Sequence, residues 1–213
     1  MVGTLQRLMV CSPRDAGWMQ PTRAAEWKKL GYTHELNFEV AQAQHDALRR
    51  ELEAAGVEVI PLTQTQTNGT RLTMDAVYAH DPSLMTDWGA ICLRMGKPER
   101  NAEPLAHAAT YESLRIPVLG VVASPGMAEA GDIVWLAEKT VLVGRGYRTN
   151  AAGIEQLWNM LGARGVEVIT APLPHGGGPA VCLHLMSLMS MLDEKTVLVD
   201  LEWLAVETVE LLR

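Results

Sequence analysis

Two short stretches of this chain each occur twice. Glu-Lys-Thr-Val-Leu-Val stands at 138–143 and again at 194–199, and Gly-Val-Glu-Val-Ile at 56–60 and again at 165–169. Such repetition restricts the fold to an array of like supersecondary units, each too small to bury its apolar face alone. The neighbours of the copies agree as well. Before Gly56, residues Phe38, Ala41, His45, Leu48 and Leu52 fall three and four apart, which predicts an amphipathic helix. Before Gly165, Ile154, Leu157 and Leu161 share that spacing, with Asn150 placed to cap the helix. In both cases a glycine supplies the left-handed stop and a β-branched strand follows.

The Glu-Lys-Thr-Val-Leu-Val copies read as second strands of hairpins. Ile133 to Leu136 runs through a turn at Glu138-Lys139 into Val141 to Val143. Leu183 to Met186 and Leu192 lead through Asp193-Glu194-Lys195 into Val197 to Val199. The same order recurs at Ala76-Val77-Tyr78, Ala90 to Leu93, a helix over Ala102 to Leu114, and Pro117 to Val122. The repeating unit is therefore hairpin, helix, strand, and the fold class is α/β. Thr63 to Thr70 and Pro172 to Pro179 are surface connections by composition, and Gly176-Gly-Gly178 lacks the Lys-Ser/Thr partner of a phosphate loop. The expected organisation is one domain over 1–213, with modules of roughly 1–70, 71–125, 126–180 and an incomplete 181–213. In the last, Asp200 caps a helix with Leu201, Leu204, Ala205, Thr208 and Leu212 on one face, and no strand follows. That predicts a truncated array with an unpaired edge, hence self-association or a missing C-terminal segment.

Composition narrows the partners. A formal net charge of -7 argues against nucleic acid or anionic membrane, and the scattered tryptophans form no stacking array. Cys11, Cys92 and Cys182 have neither disulfide nor metal spacing, which points to a reducing, cytoplasmic setting. No apolar run approaches a membrane span, and Met1 to Cys11 lacks the features of a secretory signal. His34, His45, His107 and His175 show no metal-ligand spacing, and no cofactor is expected.

Four motifs follow in order. They are Asp75-Ala-Val-Tyr-Ala-His-Asp81, the stretch Arg94 to Glu103 with Arg100, the pair Glu129-Ala-Gly-Asp132 and Gly146-Tyr-Arg-Thr-Asn150, and Leu183-His184-Leu185. This ordered set over residues 75–190 resembles the guanidine-modifying (amidinotransferase) superfamily, and within it the dimethylargininases. The resemblance implies the pentein or α/β-propeller fold, five modules around a central site. The first 60 residues fit it only loosely. No Asp stands two residues after His184, unlike in arginine deiminases, agmatine deiminases and amidinotransferases, and His80 stands where the nearest relatives carry an acid.

The chemistry implied is hydrolysis of a guanidino C–N bond. A guanidinium carbon is a poor electrophile, so cleavage needs a strong nucleophile, a clamp on the planar cation and a proton for the leaving amine. Carboxylates match the N–H fork, and by resemblance Asp81 and Glu129 take that role, with Glu129 also orienting His184. His184 is the implied proton relay. Arg100 and Arg148 match positions holding a substrate α-carboxylate, and Asp75 one near its α-amino group, which favours a methylarginine-like amino acid over agmatine. The resemblance places a nucleophilic cysteine late in the fifth module, where this chain has none. Cys182, two residues from His184, stands as a substitute thiol or as a small core residue, the second being preferred; Cys11 and Cys92 are expected in the core. Asp132 is expected to bond nearby backbone, and Glu103 and Asp87 to be solvated surface charge. The reading is a cysteine/histidine hydrolase giving a ureido product such as citrulline. The alternatives are an arginine deiminase-type activity and a non-catalytic guanidine-binding module.

Overall fold

The computed structural model describes residues 3–23, 25–63, 71–181 and 183–213; Cys182 and most of the Thr63 to Thr70 connection lie outside them. The chain divides into two compact units. One comprises Gly3–Ala79 with Pro98–Arg115, and the other His80–Lys97 with Ile116–Arg213.

In the first unit, strands β1 (Arg7–Val10) and β2 (Glu58–Pro61) pair in parallel, Arg7 opposite Glu58. A short helix α1 (Glu26–Lys29) and the long helix α2 (Phe38–Ala54) lie between them in sequence. Asn37 caps α2 by accepting the Val40 N–H at 3.0 Å, and Gly56 ends it at φ +84°. The periodicity of α2 is as expected, yet none of its residues is fully buried, and Leu48 is 54% exposed. The core of this unit gathers Cys11, Ala16, Leu62, Leu72, Ala76 and Ala106, the last from helix α3 (Glu103–Ser113).

The second unit contains the repeat twice. Strands β3 (Ser83–Thr86) and β4 (Gly89–Cys92) form a hairpin, and β5 (Val118–Val121) joins β4 in parallel. Strands β6 (Ile133–Ala137) and β7 (Thr140–Arg145) form the next hairpin, and after helix α4 (Ala151–Gly162) strand β8 (Glu167–Pro172) adds in parallel to β7. A last hairpin joins β9 (Met189–Met191) to β10 (Val197–Val199). The run Val141-Leu142-Val143 is apolar throughout because the β6–β7 sheet is covered on both faces. Ile133, Val141 and Val143 pack with Ile154, Leu157 and Leu161 of α4, whereas Val134 and Leu142 pack with Leu185 and Met189.

Four segments differ from the sequence expectation. Met74–Val77 is a 3-10 turn, since the Thr73 hydroxyl accepts the Asp75 N–H at 3.2 Å and so closes a turn where the apolar triplet suggested a strand. Leu185–Ser187 is likewise a 3-10 turn with His184 at its N-cap, because a buried carboxylate draws off the Leu185 N–H, so the first strand of that hairpin begins only at Met189. Asp200 forms a local turn, accepting the Glu202 N–H at 3.3 Å, and the terminal helix α5 is confined to Val206–Leu211. Glu103 is 0% exposed and no surface charge.

Candidate active site

The site is assembled where the loop before β6 meets the turn after β8. Ala128 bridges to Arg94, and the Ala130 N–H donates to the Asp81 carbonyl at 2.9 Å, so the backbone of the second motif lies alongside that of the first. Glu129 remains extended between these contacts, and Ala130–Asp132 then closes a 3-10 turn, with the Asp132 N–H donating to the Glu129 carbonyl at 3.0 Å.

The Glu129 side chain is 0% exposed, a costly position for a carboxylate unless its oxygens are fully met. Its Oε1 accepts the backbone N–H groups of Gly96 at 2.9 Å and Lys97 at 3.3 Å. Its Oε2 lies 2.8 Å from His184 Nε2 and 3.3 Å from Arg148 Nη1. This contact gives the proton of the His184 ring to Nε2. Asp81, 8% exposed, brings a carboxylate oxygen to the same place: one donor atom each of Asp81, Glu129 and His184 lie within 4.8 Å of one another. Gly131 makes this approach possible, since a Cβ there would sit 2.6 Å from His184 Nδ1 and 3.0 Å from Asp81 Oδ1. His80 turns its Nε2 to the Ala130 carbonyl at 3.2 Å.

Such a cluster suits a cation. A divalent metal and a planar guanidinium would both satisfy two carboxylates and an imidazole; Glu129 here meets a guanidinium through Arg148 Nη1.

Beneath it lies a second buried carboxylate. Asp132, 0% exposed, accepts the Thr149 hydroxyl at 2.6 Å and the Leu185 N–H at 3.0 Å. Burial pushes its carboxyl up to about 6, with the negative charge of Glu129 adding to the rise and His184, Thr149 and Leu185 opposing it.

The remaining two candidates, Asp75 and Arg100, belong to the other unit, where they share a different network. Arg100, 3% exposed, reaches Glu103 Oε2 through Nε at 2.9 Å and Nη2 at 2.8 Å, and Nη2 also donates to the Tyr78 carbonyl at 3.0 Å. The Thr73 hydroxyl completes the Glu103 carboxylate. Burial raises the Glu103 pKa against the pull of Arg100 and Thr73, and Asp75 adds to the rise. The Tyr32 phenol is raised by burial and then by Asp75. Sequence reasoning passed over Thr73 and the amides of Gly96 and Lys97. Thr149 lay inside a motif but was given no role.

Neither described cysteine is available as a nucleophile. Cys11 and Cys92 are 1% and 2% exposed, and burial pushes the Cys11 thiol up to about 12 and raises that of Cys92.

Hairpin–helix–strand units carrying buried carboxylates against a histidine define a pentein-type α/β protein. The chain belongs to the arginine deiminase family, whose model matches residues 73–212. Among curated relatives, the dimethylarginine dimethylaminohydrolase of Streptomyces coelicolor is 32% identical over 124 residues, which is 58% of this chain and 45% of that protein. The same enzyme of Pseudomonas aeruginosa is 27% identical over 158 residues, 74% and 58% of the two chains. The chain thus spans about half the length of the curated relatives it matches. Of the solved structures, a cysteine-to-serine variant of the Pseudomonas aeruginosa dimethylarginine dimethylaminohydrolase complexed with citrulline covers 92% of this chain and 70% of its own, with TM-score 0.72 and 23% identity. The product-bound N-terminal domain of ArgZ, a cyanobacterial arginine dihydrolase, covers 98% and 71%, with TM-score 0.73 and 16% identity. These two likenesses establish the fold.

Proposed function

We propose that this chain carries the guanidine clamp and proton relay of a hydrolase that cleaves a C–N bond of a guanidino amino acid, giving a ureido product. The observation that carries the reading is the cluster of Asp81 and Glu129 against His184, with Glu129 bonded to the ring at 2.8 Å. Asp81 and Glu129 accept the N–H groups of the substrate guanidinium and hold its plane. A cysteine thiolate attacks the central carbon and a C–S bond forms. His184 gives a proton to the departing amine as the C–N bond breaks. His184 then takes a proton from water, which attacks the same carbon; the C–S bond breaks and the ureido product leaves. Glu129 fixes the orientation of the imidazole and balances the imidazolium that appears in the cycle. Arg148, beside Glu129, is assigned to the substrate α-carboxylate. The thiolate comes from outside the buried pair Cys11 and Cys92.

The preferred substrate is a methylated arginine and the product citrulline, in line with the names of the two dimethylarginine dimethylaminohydrolase relatives. Arginine deimination is the second reading, supported by the family match, and a non-catalytic guanidine-binding module is the third. A cytoplasmic location accords with the unpaired cysteines, and among the described residues no helix is long and apolar enough to cross a membrane. Calorimetry with a methylarginine, arginine and agmatine tests the assignment. Heat with the first, reduced or abolished by Asp81→Asn, supports the clamp; no heat with any of the three removes it. A colorimetric assay for ureido product then separates the hydrolase from the binding module.

A further inference from the structure

Glu129 and His184 are 55 residues apart, yet their side chains meet at 2.8 Å. A contact between two side chains does not by itself fix two backbones, so something beneath must. Beneath the pair, a hydrogen-bonded chain runs from one backbone to the other. The Glu129 N–H donates to Thr149 Oγ1 at 3.1 Å, and the Thr149 hydroxyl donates to Asp132 Oδ2 at 2.6 Å. Asp132 Oδ1 accepts the N–H of Leu185, the residue after His184, at 3.0 Å. Glu129, Asp132, Thr149 and Leu185 are all 0% exposed, so water does not replace any of these bonds. Gly144 completes the seat, since a Cβ there would lie 3.2 Å from Asp132 Oδ1 and 3.0 Å from Leu185 Cβ.

Each member is chemically constrained. Thr149 must accept and donate at once, which a hydroxyl does and a methyl does not. Asp132 must accept at both oxygens, which a carboxylate does and an amide does not. We propose that Asp132 and Thr149 are positioning residues that set the alignment of the His184 imidazole on Glu129. Their hydrogen bonds run to the backbone N–H groups of Glu129 and Leu185, on either side of the contact, and they act through that backbone. The proposal rests on the hydrolase reading only for its consequence in turnover.

The test is made on the chain itself by proton and nitrogen NMR. A ring N–H held against a buried carboxylate gives a downfield, slowly exchanging signal, identified as that of His184 by its loss in His184→Gln. The signal is expected in the wild type, lost or broadened in Thr149→Val, and restored in Thr149→Ser. Asp132→Asn should also lose it; this second variant drops the cost of a buried charge and so keeps the fold if Thr149→Val does not. A folded Thr149→Val or Asp132→Asn chain with an unchanged signal overturns the proposal, as does a Thr149→Ser chain that fails to regain it. Calorimetry with a methylarginine on the same samples separates the two readings. A wild type that shows the signal but binds nothing removes the guanidine clamp and leaves the positioning pair standing.

Discussion

Asp132 contributes to stability in a way that depends on pH. Its carboxyl lies at about 6 against an ordinary value of 3.8, raised chiefly by burial, so the folded state holds the proton more tightly than the unfolded chain. The stabilisation from that proton is complete below about 3.8 and is lost as pH rises through about 6. Relative to Asp132→Asn, the wild type is therefore expected to gain up to about 3 kcal/mol between pH 7 and pH 4. Urea unfolding of both chains across that range measures it; a constant difference would mean that Asp132 is not held in a dry site. Gly131 makes a sharper claim on geometry. A methyl there would stand 2.6 Å from His184 Nδ1, so Gly131→Ala must displace the ring from Glu129. Methylarginine affinity should fall about tenfold or more while thermal unfolding moves by only a few degrees, since a displaced hydrogen bond is worth about 1.4 kcal/mol or more. Equal affinity by calorimetry would show that the ring can move aside freely.

Helices α2 and α4 are both capped by asparagine, yet their caps do unequal work. Asn37 serves only the Val40 N–H at the start of a helix with no buried residue. Asn150 takes the Gly153 N–H at 2.8 Å and also the Met127 N–H at 3.0 Å, and its amide donates to the Pro125 carbonyl at 2.9 Å. It thereby ties α4 to the loop that delivers Glu129. Asn150→Ala should cost about 2 kcal/mol or more and Asn37→Ala about 1 kcal/mol or less. Chemical denaturation of the two variants compares them directly, and a larger loss at Asn37 would reverse this ranking. The second hairpin shows why its strands were readable while the His184 turn was not. Ile133 to Val143 is governed by neighbouring residues: apolar strands, a polar turn, apolar strands again. At Leu183 to Met186 the local pattern is just as apolar, but a carboxylate 53 residues earlier captures the Leu185 N–H and turns the chain.

Across the whole molecule, the C-terminal segment exposes several large apolar side chains, among them Leu192, Leu198 and Leu201 at 61–63% and Val206 at 68%. Apolar surface of this kind favours association. Sedimentation velocity is expected to show concentration-dependent self-association that Leu198→Glu and Val206→Glu reduce; a single monomer boundary up to high concentration would contradict this. The repeats determined much of what is seen: helices α2 and α4, the glycine stops at 56 and 165, the parallel strands β2 and β8 and the β6–β7 hairpin all follow from residues adjacent in the chain, because capping, turn conformation and periodicity are short-range effects. Motif order also singled out Asp81, Glu129, Arg148 and His184, which meet in space. Only the tertiary structure decided that Glu103 is buried against Arg100, that Asp132 links Thr149 to Leu185, and that Met74–Val77 is a turn. A charged or polar side chain has the same appearance in sequence whether it meets water or a buried partner, and the desolvation that separates the two cases exists only once distant segments have packed around it.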